Sequence, residues 1–94
     1  MEVLIFGKPE CPQCVTTKNK LMHFIQKWGL AERVKVNFHD MTTPEGMAEG
    51  AFNDVSDIPT TIIRRGEQAV ARWEGVVPTT KELRQYVQEQ VDAS

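Results

Sequence analysis

Cys11 and Cys14 are the only two thiols in this chain of 94 residues, and Pro12 and Gln13 separate them. Thiols at that spacing can form a redox pair, half of a metal site or a structural bridge. A structural zinc site takes four ligands. The remaining soft donors, His23 and His39, fall on different elements away from the pair, so no metal is expected. A bridge within one turn closes almost no loop and would stabilise little. Redox chemistry is the reading that uses both sulfurs. It requires one of them to be ionised near neutral pH, because the thiolate attacks a disulfide and the thiol does not.

The neighbouring residues supply a means. "EVLIFG" ends just before the pair, and a helical pattern begins with it. Pro12 suits the first helical position, where the N–H it lacks would be unpaired anyway. Cys11 then falls at the cap, beneath the free N–H groups of the first turn, which favour an anion. Lys8, three residues upstream, is a candidate source of further positive charge. Cys14 lies one turn inside the helix, close enough to form a disulfide and more buried. The scheme is two-step: Cys11 attacks a substrate disulfide, and Cys14 resolves the mixed disulfide.

Three helices and four strands must hold this pair. "EVLIFG" is a continuous apolar run, as in a strand covered on both faces. Leu21, Phe24, Ile25 and Trp28 recur at i, i+3, i+4 and i+7, one helix face, with Gly29 as its C′ residue. "RVKVNFH" alternates Val34, Val36 and Phe38 with polar residues, a strand with one wet face at a sheet edge. A second helix opens in "TTPEGMAEGAFNDV", where Thr42 and Glu45 have capping-box spacing; Gly46 and Gly50 weaken it. "TTIIRRGEQAVARW" reads as two strands joined by a turn at Arg65-Gly66-Glu67. Thr79 and Glu82 repeat the capping-box spacing before a last helix with Leu83, Tyr86, Val87 and Val91 on its apolar face. The order βαβαββα predicts an α/β domain over residues 1–94: a four-stranded mixed sheet with helices on both faces, a parallel first pair and an antiparallel last one.

Composition narrows the function classes. Forty per cent of the residues are apolar, and 11 basic residues against 13 acidic give a net charge of −2. That balance argues against nucleic-acid or membrane-surface binding. No apolar run approaches the roughly 20 residues that cross a bilayer. Val3-Leu4-Ile5-Phe6 is too short for a signal sequence and no positive segment precedes it. A cytoplasmic location is expected, where reducing conditions favour a catalytic over a structural cysteine pair.

Element order, the early Cys-x-x-Cys and Ile58-Pro59-Thr60 together resemble the glutaredoxin branch of the thioredoxin superfamily, over nearly the whole chain. The resemblance implies the thioredoxin fold and a dithiol–disulfide oxidoreductase acting on protein disulfides, with no bound cofactor, as a monomer. It implies that Pro59 is cis and faces the cysteines, and that Ile58 offers its backbone to an extended substrate segment. Pro12, Gln13, Thr60 and Gly75 complete the implied substrate surface. Two subgroups compete. In glutathione-dependent glutaredoxins, a lysine matching Lys8 and a Gly-Gly pair before the last helix hold glutathione. This chain has "WEGVVPTTKEL": Glu74 replaces one glycine and Pro78 lacks an N–H donor. The stretch is similar to the NrdH redoxins, which thioredoxin reductase reduces and which feed a ribonucleotide reductase. Trp73, Gly75 and Pro78 match their pattern, whereas Glu74, Val76 and Thr79 depart from it, as does Pro12 in the cysteine motif. The expected reductant is therefore thioredoxin reductase, with glutathione as the alternative. A metal or iron–sulfur carrier is a third reading, against which Pro12 counts. Trp28 and Trp73 read as core or rim, and Arg64-Arg65 as a solvated pair by the hairpin turn.

Overall fold

The computed structural model describes residues 1–88. Its elements are β1 (Glu2–Gly7), α1 (Pro12–Lys27), β2 (Lys35–Asp40), α2 (Pro44–Phe52), β3 (Thr60–Arg65), β4 (Gln68–Glu74) and α3 (Thr80–Leu83), which continues as a π-helical stretch, Arg84–Gln88. The strands form one mixed sheet in the order β2-β1-β3-β4. β1 runs parallel to β2 with Phe6 opposite His39, and antiparallel to β3 with Phe6 opposite Thr60. β3 and β4 form the antiparallel hairpin, turning at Gly66, whose φ is +64°. This is the architecture that the element order predicts, with β2 at an edge.

The two faces of β1 are both covered, which is why its sequence is apolar without alternation. On one face Val3, Ile5 and Ile63 pack with Leu21 and Ile25 of α1, Leu83 and Val87, and Trp73. On the other, Leu4, Phe6 and Ile62 meet Met41 and Val55. Gly50 brings α2 down onto that second face: a Cβ there would stand 2.5 Å from the Met41 methyl group. Gly46 lies closer still, and a Cβ on it would fall 1.8 Å from the Asp40 carbonyl oxygen. The glycines that weaken α2 as a helix are thus what let it dock. Its bulky residues turn outward, Met47 being half exposed and Phe52 81% exposed.

Helix ends follow local chemistry. α1 stops in a Schellman arrangement: Gly29 (φ +71°) donates to the Gln26 carbonyl and Leu30 to that of Ile25. At α2 the cap is Thr43 rather than Thr42; the Thr43 hydroxyl accepts from the Gly46 N–H at 3.0 Å. Thr42 is occupied otherwise, its N–H and hydroxyl both donating to Asp40 Oδ1. At α3 the Thr79–Glu82 capping box forms, and Glu82 Oε2 also accepts from the Trp73 indole N–H at 2.8 Å. The last helix differs from the regular α-helix expected of it, widening after Leu83, although Leu83 and Val87 are both fully buried. Val91 lies outside the described residues. No helix among the described residues is long and apolar enough to cross a membrane.

Candidate active site

The cysteine pair stands where β1 hands over to α1. Cys11 is the N-cap, with non-helical backbone (φ −87°, ψ 113°) and Pro12 as the first helical residue. Its sulfur does the capping, accepting the Cys14 N–H at 3.2 Å. The first turn of α1 carries no acidic residue, so nothing within it opposes a negative charge on the cap. Cys11 is partly exposed and Cys14 is fully buried. Gly7 makes room for the buried sulfur, since a Cβ there would lie 2.6 Å from Cys14 Sγ.

The two thiols are driven apart in acidity. Cys11 lies below the ordinary cysteine value, chiefly because the Cys14 thiol donates a hydrogen bond to it, helped by the backbone N–H groups of Cys14 and Gln13. Burial pushes Cys14 up to about 11, and its donation to Cys11 and the nearby Cys11 charge push the same way. The charge expected from Lys8 is not among the influences on Cys11; the charged side chain that acts there is Glu10, which raises it slightly. The exposed Lys8 works instead through its backbone. Its carbonyl accepts the Cys11 N–H at 3.1 Å, and its own N–H favours a Cys14 thiolate. Pro12 and Gln13 are exposed on the first turn.

A second loop borders the first. The pairing of Phe6 with Thr60 puts the end of β1 and the start of β3 at the same end of the sheet. The segment entering β3 therefore runs beside the cysteine loop. The Ile58–Pro59 bond is cis, as the resemblance implies. Pro59 is buried and Ile58 half-buried. Thr60 is fully buried, and its hydroxyl donates to the Asp57 carbonyl at 2.5 Å. Gly75, at φ +73°, takes a conformation that favours glycine, and its N–H donates to the Pro59 carbonyl at 2.8 Å. That bond ties the end of β4 to the cis-proline segment.

The sequence reading set Cys11 at the cap of α1 and Cys14 one turn inside it, and the backbone has them there, with Pro12 and Gln13 between them and Lys8 in the preceding loop; of the residues it named for the substrate surface, Ile58 and Pro59 lead into β3, Thr60 begins it and Gly75 follows β4. It missed Gly7, which reads in sequence as no more than a strand end. The signal available was a glycine between an apolar run and a cysteine pair, where close backbone approach is common.

No family model matches the chain, and no curated protein matches it in sequence. Solved structures do match it. Thioredoxin 1 from the thermophilic eubacterium Thermosipho africanus TCF52B superimposes with a TM-score of 0.78 at 17% identity, over 99% of this chain and 97% of that one. Thioredoxin O2 from Arabidopsis thaliana gives 0.74 at 21% identity, over 96% and 73%. Chloroplastic thioredoxin z gives 0.72 at 22% identity, over 99% and 79%. At such identities the likeness is one of backbone architecture, and it agrees with the sheet order and helix placement above. The chain has the thioredoxin fold, with its two cysteines at the start of the first helix.

Proposed function

We propose that this protein is a dithiol–disulfide oxidoreductase that reduces protein disulfides. The observation that carries the reading is the split between its sulfurs: a partly exposed, acid-shifted Cys11 at a helix N-terminus, and a buried, base-shifted Cys14 one turn on. The Cys11 thiolate attacks one sulfur of a substrate disulfide; a mixed disulfide forms and a substrate thiolate leaves. Cys11 is then no longer an anion or an acceptor for the Cys14 thiol. Two of the influences that hold Cys14 protonated vanish at that moment. Cys14 gives up its proton, attacks Cys11 Sγ and expels the second substrate thiolate. The substrate gains two electrons, and the protein is left with a Cys11–Cys14 disulfide. Ile58 offers its backbone to an extended substrate segment, with Gly75 beside it, while the buried Pro59 and Thr60 hold that strand end in place.

The reductant that restores the dithiol is thioredoxin reductase, in the manner of an NrdH-like redoxin working in the cytoplasm. Three features speak against glutathione. The Gly75 N–H is spent on Pro59, Pro78 has no N–H to give, and Glu74, whose carboxylate accepts from Arg72 Nε at 2.6 Å, puts a side chain where the glutathione-dependent pattern has a glycine.

Cys11→Ser is expected to abolish disulfide reduction, and Cys14→Ser to trap a mixed disulfide visible by mass spectrometry. Full activity in Cys11→Ser would refute the assignment. The oxidised protein supplied with NADPH and thioredoxin reductase, then with NADPH, glutathione and glutathione reductase, is expected to consume NADPH in the first mixture only.

A further inference from the structure

Cys11, Val15, Lys18 and Met22 recur at i, i+4, i+7 and i+11, so they share one flank of α1. That flank faces β2. The Lys18 ammonium lies 5.6 Å from the centroid of the Phe38 ring. Pro9, Val15, Lys18, Asn19, Phe38 and Asp40 line a cavity of about 310 Å³ there. Its walls adjoin the dithiol: Pro9 precedes Cys11 by two residues, the Val15 N–H donates to the Cys11 carbonyl at 3.1 Å, and the Phe38 ring borders Gly7, against which Cys14 packs.

The lining has a defined chemistry. Among the described residues Lys18 has no carboxylate partner. Asp40 accepts both Thr42 bonds on Oδ1, at 2.8 and 2.6 Å, and these hold its carboxyl below the usual range. Its second oxygen is left to accept elsewhere. Val15, 39% exposed, and Phe38 supply an apolar floor. An occupant needs an anionic group for Lys18, a donor for Asp40 and an apolar stem, the combination that an acidic residue or a chain-terminal residue of a polypeptide carries. Seven residues of helix put Lys18 about 10 Å along the axis from Cys11, which about three residues of extended chain span.

We propose that this cavity is a second subsite for the disulfide-bearing polypeptide, seating a carboxylate-bearing residue about three positions from the attacked cysteine. Its carboxylate pairs with Lys18, its backbone N–H donates to Asp40, and its stem lies on Val15 and Phe38. This rests on the reductase reading and adds substrate selection to it. The carboxylate comes either from a Glu or Asp side chain or from a free chain end.

The test uses synthetic disulfide peptides and the reduced full-length protein, following the second-order rate at which each peptide oxidises it. One pair carries Glu or Gln three positions beyond the cysteine; a second pair ends there as free acid or amide. A carboxylate is expected to raise the rate by about two- to fivefold, the range that one exposed ion pair supports. Whichever pair shows the gain identifies the source of the carboxylate. Lys18→Met is expected to bring the two rates together, while Lys27→Met, which removes a charge elsewhere on α1, preserves the ratio. The Cys11 alkylation profile of Lys18→Met should coincide with that of the wild type, showing that the lysine acts on substrate and not on the thiolate. Equal rates within both pairs, or a ratio that survives Lys18→Met, overturn the subsite and leave the reductase standing. If no peptide oxidises the protein, the reductase reading falls and the subsite with it.

Discussion

At the scale of residues, the two sulfurs differ in both exposure and proton affinity, and each difference predicts a measurement. Iodoacetamide is expected to modify Cys11 first, with a profile displaced below that of free cysteine, and to spare the buried Cys14 while the fold holds. The shift at Cys14 also bears on stability. Its folded value lies above its unfolded one, so the stabilisation is complete below pH about 9 and is lost as pH rises to about 11. Each pH unit is worth about 1.4 kcal/mol, giving a loss of roughly 3 kcal/mol at most. Urea unfolding across that range should show the decline in the wild type and a flatter curve in Cys14→Ser. Gly7→Ala is a more local probe. Its methyl group would collide with Cys14, so resolution of the mixed disulfide should slow while Cys11 alkylation persists. The cysteine pair was legible in sequence because two thiols in the whole chain share one turn. Gly7 was not, because its importance lies in a contact that forms only after α1 has folded back along β1.

At the scale of elements, polar ends decide where helices stop and small residues decide how closely they dock. Thr79→Ala removes the hydroxyl that caps α3 and steadies Glu82 beneath Trp73. A loss of about 1 kcal/mol in urea unfolding is expected, with a change in Trp fluorescence. Glu82 is held below the ordinary carboxylate range, first by the Trp73 indole and then by Thr79, so its contribution is present at neutral pH and fades as pH falls into the acid range. The capping box at α3 was readable because no upstream carboxylate claims Thr79, the first of the two threonines there, and Glu82 can serve Thr79 and Trp73 with separate oxygens. At α2 the same spacing misled by one residue. Two threonines stand in sequence there, and Asp40 claims the first through an Asx turn, leaving Thr43 to cap. The widened turn after Leu83 had no sequence signal, since Leu83, Tyr86 and Val87 fit an ordinary helical face equally well.

At the scale of the whole molecule, the sheet carries cores on both faces, joined through β1 and β3. Because the same two strands serve both, the chain should unfold in one step, with Trp fluorescence and far-ultraviolet circular dichroism tracing coincident curves. Separate transitions would show that the α2 face melts alone. The edge place of β2 and the two covered faces of β1 were legible because β2 alternates and β1 does not, whereas the antiparallel pairing of β1 with β3 has no local signal. The pocket beside Lys18 was not legible, because it depends on residues from a loop, a helix and an edge strand that only the finished sheet assembles. The docking of α2 through Gly46 and Gly50 reverses the usual map of what a helix tolerates. In a saturation library, the smallest side chains of that helix should prove the least replaceable: Gly46→Ala is expected to cost about 1–3 kcal/mol. The largest, Phe52, should accept serine within about 0.5 kcal/mol.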